Sequence, residues 1–141
     1  MRKVIFICKG NMHRSPTAEA LYNLFKKDNS LAISYGTWVE KEGRQGVPLS
    51  AYPSFQRFID ELKSEYGVDI SSHKSIQVTP EALEGADKIV VIAEEYSIPD
   101  WLRGYKYEHW DLPDKDGMTH EEIMEDIKGI KDKVEGLLSG R

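Results

Sequence analysis

The chain has 141 residues, a formal net charge of −5 and a hydrophobic content of 40%. This size and composition suit a single domain over residues 1–141 with one good core. The acidic balance argues against a nucleic-acid or membrane-surface partner. Because the chain has one cysteine, it can form neither an internal disulfide nor a cysteine metal cluster.

The first predicted element is a buried parallel strand, indicated by the apolar run at residues 4–7. A helix follows over about residues 16–28, with Ser15 as its cap and Pro16 in its first position. The apolar run is short and is interrupted by Gly10-Asn11, so we expect no signal peptide. A free cysteine without a leader favours a reducing cytoplasm.

The loop between this strand and helix carries the lone cysteine, Cys8, and Arg14 six residues later. At such a junction, backbone N–H groups and the positive end of the helix dipole favour a doubly charged anion. The same environment favours the thiolate form of a cysteine, which attacks without a general base. The planar guanidinium of Arg14 suits two phosphoryl oxygens at once. We therefore predict a phosphoryl-transfer site in which positioning and charge stabilisation provide most of the rate.

The remaining predicted elements continue an alternation of strands and helices. They are a strand at 31–36, a helix at about 51–66, a strand at 88–93, a short strand within 105–110 and a terminal helix opened by the capping box Thr119-His120-Glu121-Glu122. This order predicts an α/β fold, a single-domain doubly wound four-stranded parallel sheet with helices on both faces. Ligands of such sheets bind at the carboxyl ends of the strands, where Cys8 lies.

The string from Cys8 to Pro16, CKGNMHRSP, resembles the phosphate-binding loop of the low-molecular-weight protein tyrosine phosphatases. The family pattern is Cys, five residues, Arg, then Ser or Thr and usually Pro. The resemblance implies a phosphocysteine intermediate on Cys8 and a phosphate clamp at Arg14. It also implies that the other loop residues bind the phosphate, namely Lys9, Gly10, Asn11, Met12, His13 and Ser15.

Two further segments resemble the same family. Residues 33–37 are similar to its second strand and following turn, and residues 67–75 to its Gly-x-Asp…His-x-Ser segment. The resemblance implies that Ser34 and His73 brace the loop and hold it open before substrate arrives. From the residues alone, an ordinary strand serine and a structural histidine remain alternatives.

A phosphomonoester also needs a general acid, because an unprotonated alkoxide or phenoxide is a poor leaving group. Residues 109–117 resemble the family's late loop, in which an Asp-Pro pair carries that acid. Asp114 aligns best, Asp111 is the second candidate and Asp116 the third. Lys115 stands where the family usually has proline, and no aromatic pair follows.

The substrate is predicted from the loop and its surroundings. By the resemblance, an aliphatic residue at the place of Met12 suits phosphotyrosine, whereas threonine marks a branch acting on phosphoarginine. Trp38, Tyr35 and Tyr52 are candidates for the wall of a deep cleft, with partly buried loop anchors as the alternative. We therefore expect a phosphorylated protein or an aryl phosphate as the partner.

Three functions stay open at this point. Protein-tyrosine phosphatase is the leading hypothesis, arsenate reductase using an external thiol is the second, and a non-catalytic phosphate-binding module is the third. His13 stands where many family members have a second cysteine, so it is either a thiolate-stabilising group or a solvent-facing residue. No cofactor or metal is expected, and the sequence predicts no oligomeric state.

Overall fold

The computed structural model describes residues 2–112 and 119–140. Its strands are β1 (Lys3–Cys8), β2 (Leu31–Gly36), β3 (Lys88–Val91) and β4 (Glu108–His109). Its α-helices are α1 (Arg14–Phe25), α2 (Gln56–Tyr66), α3 (Asp100–Arg103) and α4 (His120–Ser139). Short 3-10 helices lie at Leu49–Ala51, Pro53–Phe55, Glu81–Leu83 and Glu95–Ser97. None of the helices in these two ranges is long and apolar enough to cross a membrane.

The four strands form one parallel sheet in the order β2-β1-β3-β4. β1 is central, and the side chains of its residues 4–7 have no solvent exposure. Val4 and Phe6 pack toward α1 and α4, whereas Ile5 and Ile7 pack toward α3 and the segment before β3. This alternation is the period-2 pattern of a strand buried on both faces. The predicted parallel sheet with helices on both faces is therefore confirmed.

The start of α1 differs from the prediction. The helix begins at Arg14 and has His13 as its cap, without a capping bond from the His13 side chain. Ser15 is already inside the helix, and its hydroxyl contacts the Cys8 thiol at 3.0 Å. The predicted serine cap and first-position proline are therefore wrong, because the serine side chain is engaged in the loop instead. The helix also ends at Phe25, earlier than predicted.

The second helix is shorter than the predicted span of 51–66. Two 3-10 turns precede it, and Tyr52 between them is extended with φ −108° and ψ 102°. Pro53 explains this conformation, since a proline disfavours helical geometry in the residue before it. Gly67 ends α2 in the left-handed region at φ 72°, a common helix stop.

The other predicted elements are present. β2 has the predicted bounds of 31–36, whereas β3 ends at Val91 and not at residue 93. Only Glu108–His109 of the predicted 105–110 segment pairs as a strand. The capping box at the start of α4 is present, with Thr119 and Glu122 each bonding the backbone of the other. Ile127, Ile130 and Val134 of that helix are fully or almost fully buried.

Candidate active site

Cys8 is the last residue of β1 and is 2% exposed. Its Sγ lies 3.0 Å from the Ser15 hydroxyl and 3.2 Å from the Asn11 backbone nitrogen, which donates to it. The sulfur is thus surrounded by donors from the loop and the first turn of α1. These donors can stabilise a thiolate. Once the sulfur is phosphorylated, they can donate to the oxygens of the phosphoryl group.

Ser15 has one hydroxyl hydrogen and three polar neighbours. The Asn11 amide donates to its oxygen at 2.9 Å, while the Tyr35 carbonyl lies 3.3 Å away as an acceptor. When Cys8 is a thiolate, the serine hydrogen can point at sulfur. When Cys8 is a thiol, the same hydrogen can turn to the Tyr35 carbonyl. Ser15 is therefore able to serve both protonation states of the nucleophile without moving.

Asn11 is the centre of the loop's hydrogen-bond network. Its amide nitrogen donates to Ser15 and, at 3.1 Å, to Ser34. Its amide oxygen accepts from the Ile76 backbone at 2.9 Å and lies 3.1 Å from His73 Nε2. Since that oxygen is an acceptor, the His73 tautomer that fits carries its hydrogen on Nε2. Both donor hydrogens and both acceptor positions of this buried amide therefore have partners.

The backbone of Asn11 is also held. Its φ is +53°, in the left-handed region that residues other than glycine rarely adopt. The Ser75 hydroxyl donates to its carbonyl at 3.0 Å. The side-chain network of Asn11 and the Ser75 contact together offset the cost of this conformation.

His73 and Ser34, the two bracing residues named from the sequence, both reach Asn11. Burial lowers the pKa of His73 below its ordinary value, although its hydrogen bond with Asn11 acts in the opposite direction. The imidazole is therefore neutral at physiological pH, in the state that fits the Asn11 contact.

Glu19 extends this network and was missed from the sequence. The Ser34 hydroxyl donates to Glu19 Oε1 at 2.7 Å. Burial raises the pKa of Glu19, and the hydrogen bonds with Ser34 only partly counter that effect. The available signal was its position four residues after Ser15, which places both on one face of α1.

Gly36 ends β2 directly beside the loop. A side-chain carbon at this position would lie 2.6 Å from Val39, 2.8 Å from the Lys9 carbonyl and 2.9 Å from the Asn11 side chain. Only a residue without a side chain lets β2 approach the loop this closely. Gly36 pairs with Cys8 in the register of β1 and β2, so this close approach helps to position the end of β1, where the nucleophile lies.

Arg14 is almost completely buried, and its Nη1 lies near three acceptors. They are the carbonyls of Ile92 at 3.2 Å and Leu112 at 2.8 Å and the Glu94 carboxylate at 3.2 Å. Glu94 follows β3, and Leu112 lies in the late loop, residues 109–117. The guanidinium is thus anchored by segments from the same edge of the sheet, with Glu94 as an ion-pair partner that the sequence did not assign.

His13 does not face solvent. It is 8% exposed, packs edge-on against Phe58 with ring centroids 4.2 Å apart, and has Nε2 3.0 Å from the Asp126 carboxylate. The imidazole therefore ties the loop to α2 and α4. The structure describes no contact between this side chain and the Cys8 thiol, and the phosphate-binding role of His13 stays a prediction.

Lys9, Gly10 and Met12 complete the loop. Lys9 Nζ lies 3.0 Å from the Tyr96 hydroxyl, and Met12 Sδ accepts from Arg44 at 3.1 Å. Gly10 is partly exposed. Of the predicted cleft aromatics, Trp38 approaches Lys9, whereas Tyr52 lies against Arg44. Tyr96 was not predicted from the sequence.

The candidate acids are only partly covered by the structure. Asp111 is described and exposed. Asp114, the preferred candidate, and Asp116 lie outside the described residues. The Leu112 carbonyl on Arg14 brings the described chain to the site two residues before Asp114 in the sequence.

Comparison with known proteins matches residues 3–140 to the family described as low molecular weight phosphotyrosine protein phosphatase. The glutaredoxin arsenate reductase of Synechocystis sp. is 25% identical over 142 residues, which cover 99% of this chain and 98% of that protein. A probable low molecular weight protein-tyrosine-phosphatase, EpsP of Ralstonia solanacearum, is 32% identical over 92 residues, covering 65% and 56%. The solved structure of a low molecular weight protein tyrosine phosphatase from T. tengcongensis has a TM-score of 0.73 at 25% identity and covers 100% of both chains.

Proposed function

Because the chain belongs to the low molecular weight phosphotyrosine protein phosphatase family, we propose that it hydrolyses phosphomonoesters through Cys8, with protein phosphotyrosine as the substrate. The observation that supports this most is the environment of the Cys8 sulfur. The Asn11 N–H and the Ser15 hydroxyl converge on it at the amino end of α1. Few other chemistries need a cysteine held by donors at an anion-binding helix terminus.

The proposed reaction has two steps. The Cys8 thiolate attacks phosphorus, an S–P bond forms, and the P–O bond to the leaving group breaks as an acid protonates the departing oxygen. Water then attacks phosphorus, the same residue takes its proton, and the S–P bond breaks to release phosphate. Loop N–H groups and Arg14 stabilise the charge on the transferring group in both steps.

Asp114 is proposed as that acid. Its support is the family resemblance of the late loop together with the Leu112 carbonyl that bonds Arg14. Asp111, which is exposed, is the alternative. The apolar Met12 in the loop supports phosphotyrosine over phosphoarginine. The free cysteine that this mechanism needs suits a cytoplasmic location.

Arsenate reduction is the second candidate, because relatives from Synechocystis sp. and Staphylococcus aureus carry that name at 25% and 26% identity. The same cradle that binds phosphate would bind arsenate. Cys8 is the only cysteine, so the electrons would have to come from an external thiol such as glutathione.

The deciding experiment measures p-nitrophenyl phosphate hydrolysis and thiol-dependent arsenite release on the same preparation. We expect hydrolysis without added thiol, trapping of a phosphocysteine in rapid quench, and loss of turnover in Cys8→Ser with phosphate binding retained. Arsenite release without phosphate-ester turnover would instead establish the reductase. Phosphate binding with neither activity would establish a binding module.

The acid is assigned by leaving-group dependence. Asp114→Asn should slow a phosphotyrosine peptide much more than p-nitrophenyl phosphate, because p-nitrophenolate leaves without a proton. Asp111→Asn is the matched control and should affect both substrates little. The reverse result would transfer the role to Asp111.

A further inference from the structure

We propose that Lys9, Trp38, Lys41 and Tyr96, here called the basic aromatic wall, select phosphotyrosyl peptides that carry a carboxylate beside the phosphorylated residue. The inference rests on the proposed phosphatase function and narrows its substrate class. It assigns specificity to Lys41 and Tyr96, which the sequence left without a role.

The wall crosses the end of β1. Trp38 follows β2 and Tyr96 follows β3, the two strands that pair with β1 on either side. The two rings meet edge to face with centroids 5.4 Å apart and an interplanar angle of 66°. Because Cys8 is the last residue of β1, the rings meet at the edge of the sheet that holds the nucleophile.

Lys9 joins the wall to the loop. It directly follows Cys8, and its carbonyl accepts from the Trp38 backbone at 2.9 Å. Its ammonium lies 3.0 Å from the Tyr96 hydroxyl and 5.5 and 5.4 Å from the Trp38 and Tyr96 ring centroids. Cation–π attraction and the hydrogen bond together keep this charge against the aromatic rings and next to the phosphate loop.

Lys41 brings a second cation to the same indole. Its Nζ lies 4.0 Å from the Trp38 ring centroid, and the residue is exposed. Two ammonium groups that share one indole repel each other, and a carboxylate placed beside them is attracted to both. Tyr96 is 65% exposed, so the wall presents both apolar surface and positive charge to an arriving peptide.

Three carboxylates on the neighbouring loops have arginine partners, and Glu40, next to Lys41 in the chain, is a further exposed carboxylate. The pairs are Glu42 with Arg44 at 3.4 Å, Glu94 with Arg14 at 3.2 Å and Glu95 with Arg103 at 2.8 Å. On a chain of net charge −5, two ammonium groups at one indole form a locally basic feature that favours an acidic peptide. In this proposal the phosphotyrosine ring lies against the aromatic side chains, and the flanking carboxylate lies near the ammonium groups.

The test compares kcat/KM for one phosphotyrosine peptide with glutamates beside the phosphorylated residue and for the same peptide with glutamines. The wild-type protein should prefer the acidic peptide by about two- to fivefold for each lysine contact, as expected for exposed ion pairs. The preference should shrink as salt rises from about 0.02 M to 0.3 M. Lys41→Gln should reduce the preference at least twofold.

Lys27→Gln is the matched control, since it makes the same charge change at an exposed residue beyond the carboxyl end of α1. It should retain the wild-type preference. Equal preferences in Lys41→Gln and Lys27→Gln would overturn the inference. Turnover of p-nitrophenyl phosphate without any acidic preference would also refute the wall while leaving the phosphatase function intact, whereas no turnover of any phosphate ester would refute the function itself.

Discussion

His73 Nε2 lies 3.1 Å from Asn11 Oδ1, which joins two residues 62 positions apart in the chain. The contact helps to fix the orientation of the Asn11 amide, which in turn donates to Ser15 and Ser34. Ser15 touches the Cys8 sulfur. The orientation of the nucleophile's hydrogen-bond partners therefore depends on a residue far outside the loop.

Removing the His73 donor should loosen Asn11 and lower kcat. We expect His73→Ala to reduce kcat for p-nitrophenyl phosphate about fivefold to tenfold, the size of one lost hydrogen bond of about 1–1.5 kcal/mol. His73→Gln retains an N–H donor and should recover part of the loss. Steady-state kinetics on both variants checks this, and equal losses in the two would show that packing, not the hydrogen bond, matters.

Gly36→Ala should damage the loop. The added carbon would lie 2.6–2.9 Å from Val39, the Lys9 carbonyl and Asn11, and two of these groups belong to the loop. We expect a loss of about 1–3 kcal/mol in the free energy of unfolding, as for overpacking, together with a fall in kcat/KM. Urea titration and kinetics measure the two effects.

Gly129→Ala is the control for that substitution. Gly129 lies in α4 with no atom within 4 Å of an added carbon. Alanine there should stabilise the protein by about 0.5–1 kcal/mol and leave turnover unchanged. If both variants behaved alike, the close approach of β2 to the loop would not be the cause.

Glu19→Gln should change how stability depends on pH. Burial raises the folded-state pKa of Glu19 above its ordinary value of 4.5. At pH values between the unfolded-state pKa and the folded-state pKa, the native state binds more protons than the unfolded chain. The contribution of Glu19 to the free energy of unfolding therefore falls as pH rises through this range. Glutamine still accepts from Ser34 but has no charge to bury.

The variant should therefore be more stable than wild type at pH 8, with a difference that shrinks toward pH 4. Denaturant titrations across that range measure it. Asp132 is an exposed carboxylate of α4 whose pKa is lowered by its hydrogen bond with Lys128. Asp132→Asn should therefore be less stable than wild type at pH 8, the opposite of Glu19→Gln. A pH-independent difference for Glu19→Gln would contradict the burial argument.

Arg14→Lys should show that geometry matters more than charge at this position. Lysine retains one positive charge but loses the planar fork. We expect kcat/KM to fall by at least about 100-fold, in the range seen when an oriented charge stabiliser is removed. Glu94→Gln keeps an acceptor for Arg14 and should cost less than tenfold. Similar losses in the two variants would indicate that the ion pair itself, not the fork, is essential.

The sequence alone predicted the parts that local pattern encodes. The buried strand ending at Cys8, the spacing from Cys8 to Arg14 and the capping box at Thr119 all involve neighbouring residues whose periodicity or order is visible in the chain. The parallel sheet followed from the alternation of such segments, since parallel strands need crossover connections. The family resemblance begins with one contiguous string, residues 8–16, and its other segments are also short runs of neighbouring residues.

Only the tertiary structure decided which distant groups meet that string. Glu94 and Tyr96 carry no local signal for a site, and they reach it because β3 pairs with β1 and ends at the same edge of the sheet. Glu19 reaches the network because β2 brings Ser34 to it. The side chain of His13 contacts Asp126 because the fold places α4 beside the loop. Hydrogen bonds between remote segments depend on strand order and helix placement, which periodicity does not specify.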